Sequence, residues 1–152
     1  MEDSRLQLTV TEDELAAFIG VKAQKYLLKF RKFSVDGIDR FSATWHWTAF
    51  LVGFWWLLYR KMYLWAFVYF ILLIIPYANV AAWITLPITG NYLYYRYAKR
   101  KILRVKTLQL FGEILKTLSE LGGTNNWVPV IGIVVSSVAF LMFILGLILS
   151  AC

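Results

Sequence analysis

The sequence predicts an all-α membrane protein. Its parts, in order, are an amphipathic N-terminal helix, a re-entrant or short spanning aromatic segment, a helical hairpin, a basic cytoplasmic helix and a C-terminal transmembrane helix. Three observations carry this. Met62 to Tyr95 runs 34 residues without a charge, and Trp127 to Cys152 runs 26. The long first run has basic residues at both ends, Arg60-Lys61 before it and Arg96, Lys99, Arg100, Lys101, Arg104 and Lys106 after it. Aromatic residues reach 18%, with seven Trp and nine Tyr, the rings that settle at the two interfaces of a bilayer.

The 152 residues read as one domain, with no internal repeat and no low-complexity linker. Residues 1–40 hold seven basic and seven acidic side chains and no apolar stretch, so insertion is expected to rely on internal segments rather than on a cleaved signal. A helix is predicted to open at Thr11, where T-x-x-E with Glu14 forms a capping box. Leu15, Ile19, Ala23, Tyr26 and Phe30 share one face of it, edged by Lys22, Lys25, Lys29 and Lys32. Such a stripe suits a helix lying in a membrane surface and equally one packed on the rest of the protein. Ser34 to Arg40 ends it with turn chemistry.

Residues 41–59 are apolar, but they begin with Ser42, Thr44, His46 and Thr48 among tryptophans and contain Gly53. A span here would put the lysine-rich first helix and Arg60-Lys61 on opposite sides, against the positive-inside bias. A re-entrant segment keeps both in the cytoplasm, provided that the protein covers its backbone. Trp45, Trp47, Trp55 and Trp56 are expected to anchor this segment at the interface, with His46 at headgroup level.

Residues 62–95 form the hairpin. As one helix they would extend about 51 Å, at roughly 1.5 Å per residue, across a hydrocarbon core of about 30 Å. One span wastes that length and two use it tightly. Lys and Arg near short loops stay cytoplasmic, so two basic flanks require an even number of crossings, with Pro76 to Asn79 as the outer turn. Ala78, Ala82 and Gly90 allow the arms to approach closely, and Pro87 is placed to kink the second.

Residues 96–121 are predicted as a basic amphipathic helix with an apolar seam at Leu108, Phe111, Leu115 and Leu118, either packed on the first helix or used for self-association. Gly122-Gly123 caps it, and Asn125 or Asn126 caps the next. The segment 127–152 is long enough to span alone, with Pro129 in its first turn.

The chemistry that is missing narrows the function. His46 is the only histidine and Cys152 the only cysteine, too few for a nucleophile–base set or a catalytic zinc site. No acid lies between Arg40 and Glu113, which speaks against ion-coupled transport through intramembrane carboxylates. Neither an enzyme nor a cofactor is expected. The net charge of +7 concentrates beside an apolar segment, where it favours anionic headgroups at about 1 kcal/mol per residue over nucleic acid. Arg60, Lys61, Arg96, Lys99, Arg100, Lys101, Arg104 and Lys106 are therefore the predicted lipid or partner contacts.

Phe18-Ile19-Gly20, Tyr26-Leu27, Phe30, the block Trp45 to Phe50 and the run Trp56 to Tyr63 together resemble a bacterial family of small membrane proteins. The family carries domain of unknown function 2628 and includes members called YigF-like. Asn91 to Tyr95 and Gly122-Gly123-Thr124 extend the likeness over residues 15–125. The chain departs from the family pattern at His46, where Asn is usual, and near Gly53-Phe54, where Gly-Pro is common. The resemblance implies a location in the bacterial cytoplasmic (inner) membrane and supplies no activity. The expected role is a multi-pass, non-catalytic interaction or scaffold subunit, with membrane lipids, a second copy or another membrane protein as partner. The alternative is an oligomeric pore or lipid-handling protein.

Overall fold

The computed structural model describes residues 9–35, 38–108 and 114–151. Their helices are α1 (Glu12–Ile19), α2 (Ala23–Phe30), α3 (Trp47–Tyr59), α4 (Tyr63–Ile74), α5 (Ala78–Leu108), α6 (Ile114–Leu121) and α7 (Trp127–Ala151). The one extended pairing among them is a two-residue antiparallel ribbon, β1 (Ser34–Val35) with β2 (Ile38–Asp39). The fold is all-α, and α7 is the one helix there that is long and apolar enough to cross a membrane. Its mean hydropathy is 2.7 and none of its most apolar stretch is buried. The other apolar helices, α3 and α4, are shorter.

The predicted capping box is present: Thr11 Oγ1 accepts from the Glu14 N–H, and the Thr11 N–H donates to the Glu14 carboxylate. The single N-terminal helix is not. Gly20 takes φ 78° and ψ −145° and turns the chain between α1 and α2, a conformation that costs a residue with a Cβ. Leu15, Phe18, Ile19, Tyr26 and Phe30 are buried in the protein core, so the apolar stripe packs on the rest of the molecule rather than facing a bilayer. Leu118 is fully buried where α6 meets α1, whereas Leu108 and Leu115 are exposed. The seam therefore narrows to one tooth, with Phe111 outside the described residues.

The spine is α5, which continues through Pro87 into the basic region as one helix. Against it lie α3, α4, α1 and α2. The turn before it holds Tyr77 at φ 64°, and Asn79 already belongs to the helix. Glycine sets the crossings. A Cβ at Gly53 would stand 2.9 Å from both Leu86 and the Tyr69 hydroxyl, and one at Gly90 would meet Trp56 at 3.4 Å. Gly90 thus brings α5 close to α3 rather than to the other arm of the hairpin. Asn125 makes no side-chain cap on α7. Its Nδ2 donates to the Leu58 carbonyl and the Tyr63 hydroxyl, and its N–H to the Tyr59 carbonyl, so the start of α7 is tied to the junction of α3 and α4.

Candidate functional site

The contacts along α5 trace the path of residues 41–59. Asp39 stands beside Tyr95, whose hydroxyl donates to it at 2.7 Å. Thr44 meets Asn91, His46 meets Pro87, and Phe50 reaches Trp83 at 4.6 Å between ring centroids. The chain then returns, and Arg60 bonds the Tyr94 hydroxyl. The segment descends along roughly eleven residues of α5, about 16 Å at 1.5 Å per residue, and comes back to the level where it began. Its backbone is covered on the way, because the N–H groups of Thr44 and His46 donate to the carbonyls of Ile88 and Pro87. Within α3, Val52 leaves helical geometry at φ −133° and ψ 38°.

His46 is buried and has two tasks. The Ala49 N–H donates to its Nδ1 at 3.0 Å, which caps α3, and its Nε2 lies 3.1 Å from the Tyr26 hydroxyl. An acceptor at Nδ1 places the proton on Nε2, so the neutral ring donates to Tyr26. Asparagine is itself a preferred N-cap. His46→Asn is therefore expected to keep the cap and lose only the Tyr26 bond, costing about 1 kcal/mol. His46→Ala loses both, at about 2 kcal/mol. Thermal unfolding in detergent compares the two variants, and equal losses would remove the capping role.

The predicted cations separate into two kinds. Arg60 is not a headgroup contact: it is 2% exposed. Its guanidinium sits 4.4 Å from the ring centre of Tyr26 and 4.8 Å from that of Tyr94. It pairs with no acid among the described residues, and its Nε has no hydrogen-bond partner there. Lys61 is engaged as well, donating to the Gly122 carbonyl. Lys99 bridges to Asp39 at 2.7 Å and Lys106 to Glu14 at 2.8 Å. Burial works against the Asp39 carboxylate, yet hydrogen bonds from Lys99 and Tyr95 hold its pKa below the ordinary range. Lys101 lies half-buried near the Tyr97 ring. Arg96, Arg100 and Arg104 remain exposed, one turn apart on a single face of α5. Four-residue spacing makes them a stripe.

The tryptophans separate likewise. Trp45 and Trp47 are exposed and meet edge to face at 5.6 Å, Trp55 is half-buried and Trp56 is 3% exposed. Trp56 is a core residue, packed against His46 and Gly90, rather than an anchor. Sequence reasoning missed Tyr26 and Tyr94 as the walls around Arg60. Tyr26 lies 34 residues before Arg60 and Tyr94 34 after it, and no local pattern joins the three. No group of His, Cys, Asp and Glu able to hold a metal occurs among the described residues.

A family model described as Protein of unknown function (DUF2628) matches residues 11–87, half of the chain, from α1 to Pro87 of α5. No curated protein and no solved structure matches.

Proposed function

The chain belongs to the DUF2628 family, and on that premise we propose that it is a non-catalytic interaction protein of the cytoplasmic (inner) membrane. In this reading α7 spans the bilayer, the α4–α5 hairpin inserts from the same side, and residues 41–59 re-enter. The α1, α2 and α6 helices, with the basic half of α5, form a cytoplasmic cap. That cap meets anionic lipids or a partner protein through the arginine stripe.

One observation carries the reading. Between Phe41 and Tyr95 the only charged residues are Arg60 and Lys61, and both are drawn into the protein, Arg60 between the Tyr26 and Tyr94 rings and Lys61 on the Gly122 carbonyl. The surface over the same elements exposes Leu51, Leu64, Phe67, Phe70, Ile74 and Trp83. Soluble monomers seldom expose apolar patches above a few hundred Å². The two ends of residues 41–59 lie at one level of α5, which supports re-entry over spanning.

The test is sided labelling in a Cys152→Ser background. Tyr77→Cys and Thr107→Cys each place a thiol at an exposed position. An impermeant thiol reagent applied to intact cells is expected to modify position 77 and spare 107. Equal labelling, or the reverse, sinks the topology. The exposure of α7, which packs chiefly on α3, favours self-assembly into a lipid-handling ring as the second reading. A closed ring in a size measurement would select it.

A further inference from the structure

Where α7 runs back along α3 the two helices do not close. Between them lies a cavity of about 550 Å³, within the range of about 300–1,000 Å³ typical of ligand sites. Trp55, Val52 and Ile133 give it apolar walls, and Gly132 keeps it open. Its mouth is not apolar. Lys22 reaches it from the turn before α2, with its ammonium 5.9 Å from the Tyr59 ring and no ion pair among the described residues.

Three hydroxyls also line the cavity, those of Thr48, Ser136 and Ser137. Elsewhere in the apolar helices a hydroxyl bonds back to its own helix, as Thr85 does to Ala81, Thr89 to Thr85 and Ser150 to Leu147. These three make no hydrogen bond among the described residues. The groove therefore offers one cation at its mouth, three donors along its wall and an apolar floor open to the bilayer face.

We propose that this groove holds one anionic glycerophospholipid of the surrounding bilayer. Its phosphate lies on Lys22, and its glyceryl esters and an acyl chain run on past Trp55 along the wall that carries the Thr48, Ser136 and Ser137 hydroxyls. A bare acyl chain would leave the hydroxyls unused, and a free phosphate would leave the apolar floor empty. The assignment rests on the membrane reading above and names its lipid.

The test is native mass spectrometry of the full chain in detergent. The probes are dioleoyl phosphatidylglycerol, dioleoyl phosphatidylcholine and glycerol 3-phosphate. One phosphatidylglycerol per chain is expected to survive, phosphatidylcholine to be held several-fold more weakly, and glycerol 3-phosphate not to compete. Lys22→Gln should weaken phosphatidylglycerol about fivefold and erase the preference between the two lipids. Ser136→Leu fills the groove from an exposed helix face and should weaken both by about tenfold. Lys32→Gln removes the same charge at an exposed position outside both the groove and the arginine stripe and should change neither.

Equal effects of Lys22→Gln and Lys32→Gln would overturn the phosphate assignment, and retention by Ser136→Leu would overturn the groove. Competition by glycerol 3-phosphate would replace the lipid with a soluble phosphate. Carbonate extraction of the same variants keeps the two readings apart. Loss of the lipid from a chain that stays in the membrane bears on the groove alone, whereas release of wild type into the soluble fraction rejects the membrane reading.

Discussion

Gly122→Ala is expected to lower the midpoint of thermal unfolding in detergent by about 10 °C, using about 2–4 °C per kcal/mol for a chain of this size. The added methyl would overlap the Phe18 carbonyl and stand 2.9 Å from the Leu118 oxygen. Both neighbours are backbone atoms at helix ends, so neither can rotate away as a side chain would. Overpacking costs about 1–3 kcal/mol. Separation of α1 from α6 also breaks the bond from the Gly123 N–H to the Phe18 carbonyl, worth about another 1 kcal/mol. Gly132→Ala is the control, because its new methyl meets only the Trp55 ring at an ordinary 3.5 Å, and alanine is the better helix former by about 1 kcal/mol. If the two variants unfold together, the α1–α6 contact does not hold the cap.

The second large effect concerns the arginine stripe. Changing Arg96, Arg100 and Arg104 together to Gln is expected to remove on the order of 3 kcal/mol of attraction to anionic headgroups. That corresponds to roughly 150-fold in summed association. A spin-labelled phosphatidylglycerol reports it as the relative association constant at the annulus of the reconstituted chain. The wild-type preference should fade as salt approaches about 1 M, where charges are screened beyond roughly 3 Å. The matching change of Lys99, Lys101 and Lys106 removes the same formal charge from groups of which two already bridge to Asp39 and Glu14. It should cost more stability and less lipid preference. Equal loss of preference in the two variants would mean that net charge, rather than the exposed face, recruits the lipid.

These expectations also mark what could be seen without coordinates. The length of α7 was legible because 26 uncharged residues have few other uses, and the start of α1 because a capping box is local. Gly20 was not legible as a break. The apolar spacing runs through it without a fault, and only the tertiary path calls for φ 78° there. The basic run from Arg96 to Lys106 was legible as a cluster, but its division into bridged lysines and exposed arginines was not. Whether a lysine is spent on Asp39 or left exposed depends on a partner 60 residues away. Arg60 was the largest miss, because the residues that receive it come from α2 and α5, and no spacing rule joins Tyr26, Arg60 and Tyr94.

That last arrangement orders events during synthesis. Tyr26 and Tyr59 are made before the guanidinium they face, but Tyr94 follows it by 34 residues, on the far arm of the hairpin. While α4 is being extended the shelter around Arg60 lacks a wall, and an unsheltered cation is costly to withdraw from water. The tryptophan-rich segment before it is joined covalently to that charge. It can complete its contacts with Trp83, Pro87 and Asn91 only when that part of α5 has emerged. In this chain the tryptophan-rich segment is therefore among the last parts to settle, although it is written near the front.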